Sequence, residues 1–418
     1  MSMAYDGFSP VRVAVVGGGA AGMMAAISAA NMGANVTLFE RNDRLGKKLR
    51  ITGKGRCNVT NDCDRDTFLS NVPTNPRFLY SALAAFTTAD TKAFFEGLGV
   101  PLKTERGNRV FPVSDKAIDV VVALKDAVRD AGVKVINERV TSLLLRDGAV
   151  CGVYTSRPYD FERVIICTGG KSYPLTGSDG DGYKLAVQAG HSVTKLLPSL
   201  VPITCKGNDH RAMQGLSLRN VGLTIKDNAT GKAVYRDFGE MMFTHFGLTG
   251  PMILSASAHL PDIAPDKYTA YIDLKPALDE KTLDARLLSD FAKYHNKDFA
   301  NSLGDLLPQK MIEVIVARSG IDPHKKVNSI TAEERRELIA LLKGFSMSLQ
   351  GFRPIDEAIV TKGGVNVGEI KPASMESRIV SGLYFAGEVL DVDAYTGGFN
   401  LQIAFSTGHL AGESAATD

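Results

Sequence analysis

The sequence predicts an α/β protein whose parallel sheet is built from both ends of the chain, with a β-rich, helix-bearing insertion between them. Three observations predict it. A β-branched apolar run, Val11 to Val16, leads through glycines into a helix-like segment and a second strand. A strand ending in glycine and an acid lies near the other end, at Gly382 to Glu388. From Pro198 to about Phe352 this pattern gives way to alternating strands and then helices.

Length and composition set the frame. A chain of 418 residues allows two or three domains, and 44% hydrophobic residues are enough for packed cores. A net charge of +2 gives no reason to expect a nucleic-acid or membrane partner. No stretch reaches the roughly 18 apolar residues of a membrane span. Met1 to Pro10 lacks the basic and apolar regions of a secretory signal. Cys57, Cys63, Cys151, Cys167 and Cys205 are odd in number and contain no Cys-x-x-Cys, which argues against a disulfide framework or zinc site and fits a cytoplasmic home.

The first strand runs into Gly17-Gly18-Gly19-Ala20-Ala21-Gly22, then a helix stopped at Gly33, then a strand Asn35 to Phe39 ending at Glu40. Gly17 suits the tight turn, Gly19 lets backbone approach a pyrophosphate, and Gly22 lets helix pack on sheet. The helix start offers N–H groups to phosphate. Glu40, 18 residues beyond Gly22, is placed for adenosine ribose hydroxyls, and its charge disfavours a 2′-phosphate. Strand, glycines, helix, strand and acid in this order predict a dinucleotide site.

Next come Arg41-Asn42-Asp43-Arg44-Leu45-Gly46-Lys47-Lys48 and Ile51-Thr52-Gly53-Lys54-Gly55-Arg56-Cys57-Asn58. Glycines alternating with basic and amide residues suit a loop around an extended anionic cofactor, with Arg44, Lys48 or Arg56 supplying charge. Further strands are expected at Lys134 to Val140, at a hairpin of Ser142 to Leu145 and Val150 to Tyr154, and at Glu162 to Cys167, which closes on Thr168-Gly169-Gly170. No second GxGxxG follows a strand, so a separate nicotinamide domain is not expected.

The far end makes the dinucleotide FAD. Gly387-Glu388 can present a carboxylate to ribitol hydroxyls. Thr396-Gly397-Gly398-Phe399-Asn400-Leu401-Gln402 opens a helix whose amides can face a flavin carbonyl. The reading is a discontinuous Rossmann-like FAD-binding domain, with FAD held noncovalently and NAD(P)H a further option as transient electron donor.

The insertion contains β-rich pieces at Pro198 to Cys205, Ser217 to Lys226, Lys232 to Phe238 and Lys267 to Leu274. From Pro276 to about Lys343 the pattern is helical, and Thr331 with Glu334 fits a capping box. This divides the chain into a cofactor domain of 1–195 and 353–418, a β-rich substrate domain of 196–275 and 344–352, and a helical insertion of 276–343. A cleft between the first two is the default substrate site.

GGGAAG, GKGRCNVTN, FTHFGLTGP, TKGGV and YFAGEVLDVDAYTGGFNLQIAFSTG, spread over nearly the full length, resemble a bacterial three-domain flavoprotein family, the BaiN/YhiN-like NAD(P)/FAD-dependent oxidoreductases and aminoacetone-oxidase-like enzymes. The resemblance implies an inserted β-barrel domain carrying a helical subdomain. It also implies an FAD-dependent oxidoreductase, among relatives that include small-amine oxidases and reductases proposed for bile-acid-like enones. More distantly, Gly180-Asp181-Gly182, Gly387-Glu388 and Asn400-Leu401 resemble fumarate reductase and succinate dehydrogenase flavoproteins. That likeness implies contact of the Val140 backbone with adenine and of Asp181, Glu388 and Leu401 with the cofactor.

Three side chains are candidates for catalysis. His245, in a strand-end turn before Gly250-Pro251, could serve as a base or bond the turn backbone. Tyr395 could lie beside the flavin ring and gate substrate, or simply pack. Cys57 could lie near the ring, and its pairing with Cys63 is open. No histidine spacing suggests a metal. The expected partner is a small-molecule substrate; oligomeric state is left open. A flavin-bearing RNA-modifying or RNA-binding protein and a non-catalytic flavin-sensing regulator are the alternatives.

Overall fold

The computed structural model describes residues 10–417. Apart from Pro10, the amino-terminal segment read above for a secretory signal lies outside them. Contacts divide the chain into one unit of Met1–Ser199 with Ile355–Asp418, and a second of Leu200–Pro354.

The first unit is organised by β1 (Arg12–Val16), α1 (Ala20–Asn31), β2 (Asn35–Phe39), α2 (Ala117–Asp130), β3 (Lys134–Ile136), β4 (Arg163–Ile166), β5 (Leu383–Phe385) and α3 (Phe399–Thr417). Its sheet runs β5-β4-β1-β2-β3 with every pairing parallel. Val13 pairs with Val36 on one side and Arg163 on the other, which makes β1 central. Central parallel strands are covered on both faces, so Val13, Ala14 and Val15 are fully buried, as are Val164, Ile165 and Ile166.

Small residues bring α3 onto α1. A Cβ built at Gly408 would lie 2.4 Å from the Ala21 carbonyl, and one at Gly412 would lie 2.3 Å from that of Ala25. The i, i+4 spacing puts both glycines on one face of α3, so the two backbones meet without side chains between them. Residues more than 380 positions apart thereby share a contact; Ser28 Oγ lies 2.9 Å from His409 Nδ1.

The strand expected at Lys134 to Val140 ends at Ile136. It is the sheet edge, pairing only with β2, and the chain then turns away. Glu138 hydrogen-bonds Thr155 and Ser156, and Arg139 reaches Asp181. The expected hairpin is present as Ser142–Arg146 against Ala149–Tyr154.

The second unit is a closed six-stranded antiparallel barrel with helices in the same unit. Ile203–Cys205 and Phe345–Phe352 pair to close a ring that also contains Gly247–Thr249, Ala233–Phe243, Ser217–Asp227 and Tyr268–Asp273. Strand Ala233–Phe243 runs five residues beyond the expected Phe238 because it pairs in turn with Ser217–Asp227 and Gly247–Thr249. Helices Glu280–Lys293, Gln309–Ser319 and Ala332–Lys343 share the barrel's apolar core. The last begins in the expected capping box of Thr331 and Glu334. Among the described residues no helix is long and apolar enough to cross a membrane.

Candidate cofactor site

The glycine turn after β1 leaves the start of α1 open. Gly19 is its N-cap, with ordinary backbone angles and no side-chain cap. The first internal helix bond runs from the Met23 amide to the Gly19 carbonyl at 2.9 Å, so the amides of Ala20, Ala21 and Gly22 lack helix acceptors. A Cβ on Gly19 would meet nothing within 4 Å. Gly17 and Gly22 differ: a Cβ on Gly17 would lie 2.6 Å from the Cys167 carbonyl, and one on Gly22 1.8 Å from that of Gly17. Two of the motif glycines therefore serve packing, and Gly19 leaves open space at a helix amino terminus.

Glu40 is buried beside this turn. One carboxylate oxygen accepts from the Gly18 amide at 2.8 Å, and the other accepts from the Asn42 backbone and side chain, both at 2.7 Å. Val140 is buried as well. Arg41 pairs with Asp179 and with Asp181 at 3.1 Å. Asp181 also binds Arg139 at 2.6 Å and Lys184 at 3.1 Å. Burial works against its charge, but Arg139 and Lys184 outweigh that and hold its pKa low.

Residues from both chain ends meet at Glu388. Lys48 Nζ donates to it at 2.7 Å, Ser172 Oγ at 3.0 Å and the Thr361 amide at 2.9 Å. Lys48 also donates to Ser172 Oγ at 2.7 Å. Gly170 makes room for this group: its Cβ would lie 2.4 Å from Thr361 Oγ1 and 2.9 Å from Glu388 Oε1. Gly387 likewise meets Ala21, and Gly169 meets Ser178. Sequence reading missed Ser172 and Thr361, although Ser172 stands two residues past Gly170 and Thr361 directly precedes Lys362 in TKGGV.

The loop after β2 contains a short helical turn, Leu49–Gly55, broken by left-handed Gly53 and Lys54. A Cβ on Gly55 would meet nothing within 4 Å, while Gly46 packs on Val121. The cations of this stretch do not share one task. Arg44 is exposed and pairs with its neighbour Asp43 at 2.8 Å. Arg56 is held by Glu105 and Asp115, each at 2.5 Å, and lies over the Phe111 ring. The charge expected from Arg56 is thus already neutralised by two carboxylates; Lys48 alone of the three reaches Glu388.

At the other helix start, the Gln402 amide bonds the Gly398 carbonyl at 3.1 Å, leaving those of Phe399, Asn400 and Leu401 without helix acceptors. Gly398 packs against Thr60. The Asn400 side chain accepts from the Ala394 amide at 3.0 Å and donates to the Ala394 carbonyl at 2.7 Å. The side chain fixes the preceding turn with both ends of its amide and leaves the Asn400 backbone amide at the helix start.

Cys57 is fully buried, and desolvation pushes its thiol up to about 12. At neutral pH it is a neutral packing group, without the exposed thiolate a nucleophile needs. All five cysteines are free, so the open Cys57–Cys63 pairing is absent. Tyr395 is half-buried; burial and then Asp393 raise its pKa. His245 belongs to the barrel unit, exposed on the turn between Ala233–Phe243 and Gly247–Thr249.

No cluster of metal-binding residues occurs among the described residues. The site does fit a dinucleotide with a flavin end. Two helix starts offer free amides, Gly19 and Gly55 border open space, and the buried Asn58 Oδ1 and Thr168 Oγ1 lack partners among the described residues. Polar atoms left this way ordinarily meet a ligand or water. Fold and site define an FAD-dependent flavoprotein oxidoreductase.

Comparison with known proteins then gives the family. Residues 11–414 match the HI0933-like protein Rossmann domain, and the chain belongs to that family. It is 31% identical to a 3-dehydro-bile acid delta(4,6)-reductase of Clostridium scindens, covering 97% of this chain and 99% of the relative. It is also 31% identical to a ribosomal RNA dihydrouridine synthase of Escherichia coli, covering 94% of this chain and 95% of the relative. The fold is similar to that of a flavocytochrome c3 fumarate reductase, with a TM-score of 0.50 at 18% identity over 98% of this chain and 79% of the other. It is similar too to a 3-ketosteroid delta1-dehydrogenase of Sterolibacterium denitrificans, with a TM-score of 0.50 at 14% identity over 97% and 99%.

Proposed function

We propose that this chain reduces a carbon–carbon double bond conjugated to a carbonyl group, using noncovalent FAD recharged by NADH or NADPH. The convergence of Lys48, Ser172 and Glu388 beside two uncapped helix starts carries the cofactor half of the reading. The reaction half is supported by the relatives' names. A delta(4,6)-reductase of a 3-oxo steroid acid and a dihydrouridine synthase both saturate an alkene in conjugation with a carbonyl. That shared chemistry favours a reductase over a small-amine oxidase.

Bound FAD supplies the hydride carrier, and the chain holds and tunes it. The amides of Ala20, Ala21 and Gly22 take the pyrophosphate, Glu40 the ribose hydroxyls, and the Val140 backbone the adenine. Arg41 and Asp181 brace that end through their mutual ion pair. Glu388 accepts ribitol hydroxyls, with Lys48 holding its charge in place. Gly55 would keep a side chain off the ring, and the amides of Asn400 and Leu401 would stabilise negative charge at its carbonyl edge. Saturating the alkene also requires a proton at the carbon next to the carbonyl. Tyr395, a neutral phenol in the cofactor unit, is the donor for it.

The test is anaerobic. FAD should be released on denaturation, and NADH or NADPH should bleach the bound flavin. A 3-oxo-4,6-diene steroid or a uridine-containing ribosomal RNA fragment should then restore the colour. Bleaching by amines with peroxide formation, and no reoxidation by either alkene, would overturn the reading.

A further inference from the structure

The loop that carries Lys48 has a second charged side. Lys48 turns to Glu388, whereas its neighbour Lys47 lines a cleft of about 370 Å³ between this loop and α2. Arg44, Arg50 and Lys125 line the same cleft over a floor that includes Val121 and the half-exposed Val122. Four cations face one acid, Asp43, which is already paired with Arg44. Among the described residues, the side chains of Lys47, Arg50 and Lys125 make no hydrogen bond or close ion pair, although the charge of Lys47 acts on Asp43.

Several other cations are paired, Lys92 with Asp62 and Lys293 with Asp305 among them, whereas the cleft gathers three unpaired ones on one concavity. Arg44, Arg50 and Lys125 are exposed, so solvent screens their repulsion, and together with Lys47 they make the cleft a positive patch open to an anion. Gly19, Glu40 and Glu388 do not line the cleft, which shares the loop of Leu45 and Gly46 with the Gly18 turn and opens on its other side toward α2.

We propose that this cleft is a second binding site, for a small amphipathic anion that places phosphate or carboxylate groups on Lys47, Arg50 and Lys125 and an apolar body on Val121 and Val122. The volume suits a molecule of nucleotide or steroid size. The exposed apolar floor separates this ligand from a bare inorganic ion, and the short cationic rim from a long polyanion. Because Lys47 and Lys48 are adjacent, an occupant would stiffen the segment that holds Glu388. The assignment does not depend on which alkene is reduced.

Calorimetric titration of the FAD-loaded protein tests it, with inorganic phosphate and hexyl phosphate as probes. Hexyl phosphate should bind at one site per chain, at least about tenfold tighter than phosphate because its chain covers the floor. Lys125→Glu should weaken that binding at least about tenfold by removing one cation and pairing another, with FAD content unchanged. Val122→Ser should narrow the difference between the probes. The site is refuted if neither probe binds at millimolar concentration, if both bind alike, or if Lys125→Glu binds hexyl phosphate as the parent does. A ribosomal RNA fragment that competes for the cleft far better than hexyl phosphate would also overturn it, in favour of a nucleic-acid surface.

Discussion

Gly19→Val separates cofactor binding from folding. The native residue has φ −82° and ψ −166°, open to any L-residue, and a Cβ there meets nothing within 4 Å. Valine is a poorer N-cap than glycine, so the cofactor-free protein should lose no more than about 1 kcal/mol. The cofactor should fare far worse. A branched side chain in that space blocks approach to the amides of Ala20, Ala21 and Gly22. Losing two charge-assisted hydrogen bonds at about 1.5–3 kcal/mol each weakens FAD by about 3–6 kcal/mol, or roughly 10²- to 10⁴-fold. Flavin released from purified protein gives the stoichiometry, fluorescence titration of stripped protein gives the affinity, and urea unfolding gives the apo stability. A variant that keeps parental FAD affinity would remove the pyrophosphate from this helix start. One that cannot fold without FAD would refute the open space.

Gly408→Ala should act in the opposite order: its Cβ presses on the Ala21 carbonyl at 2.4 Å, so apo stability should fall by about 1–3 kcal/mol in urea, with cofactor loss following. Cys57→Ala should retain turnover, since its thiol is neutral and buried; loss of activity from a protein of parental melting temperature would restore a chemical role. His191 is buried between Glu369 and Ser377, 3.1 and 2.7 Å away, and burial lowers its pKa more than Glu369 raises it. The unfolded chain therefore takes up this proton first, so stability is full above about pH 6.5 and declines below it, at up to about 1.4 kcal/mol per pH unit. Burial also lowers His210 and His409, so His191→Gln should reduce that acid slope without abolishing it; an unchanged slope would refute the assignment.

What could be read from sequence was what is local. Gly17 to Glu40 declares its turn, helix and acid within one βαβ unit, and Thr331 with Glu334 declares a cap within one turn. Side-chain partnership across the chain was hidden. Arg56 looks like a free cation beside glycines, yet its carboxylates lie 49 and 59 positions away. The Asn400 side chain is closed on Ala394, a partnership its sequence context does not announce. Lys134 to Val140 reads as one strand because nothing in its pattern reveals that it has only one neighbour. Gly408 and Gly412 are ordinary in a helix sequence; only the α1 backbone against them explains their size.

The contact of α3 with α1 bears on the order of biosynthesis. The first helix leaves the ribosome with its phosphate-binding amides ready, but the segment that packs against it is made some 380 residues later. Nascent chains halted before residue 399 should fold the barrel while failing to hold FAD. Cofactor capture then has to wait until α3 has been made and has packed on α1.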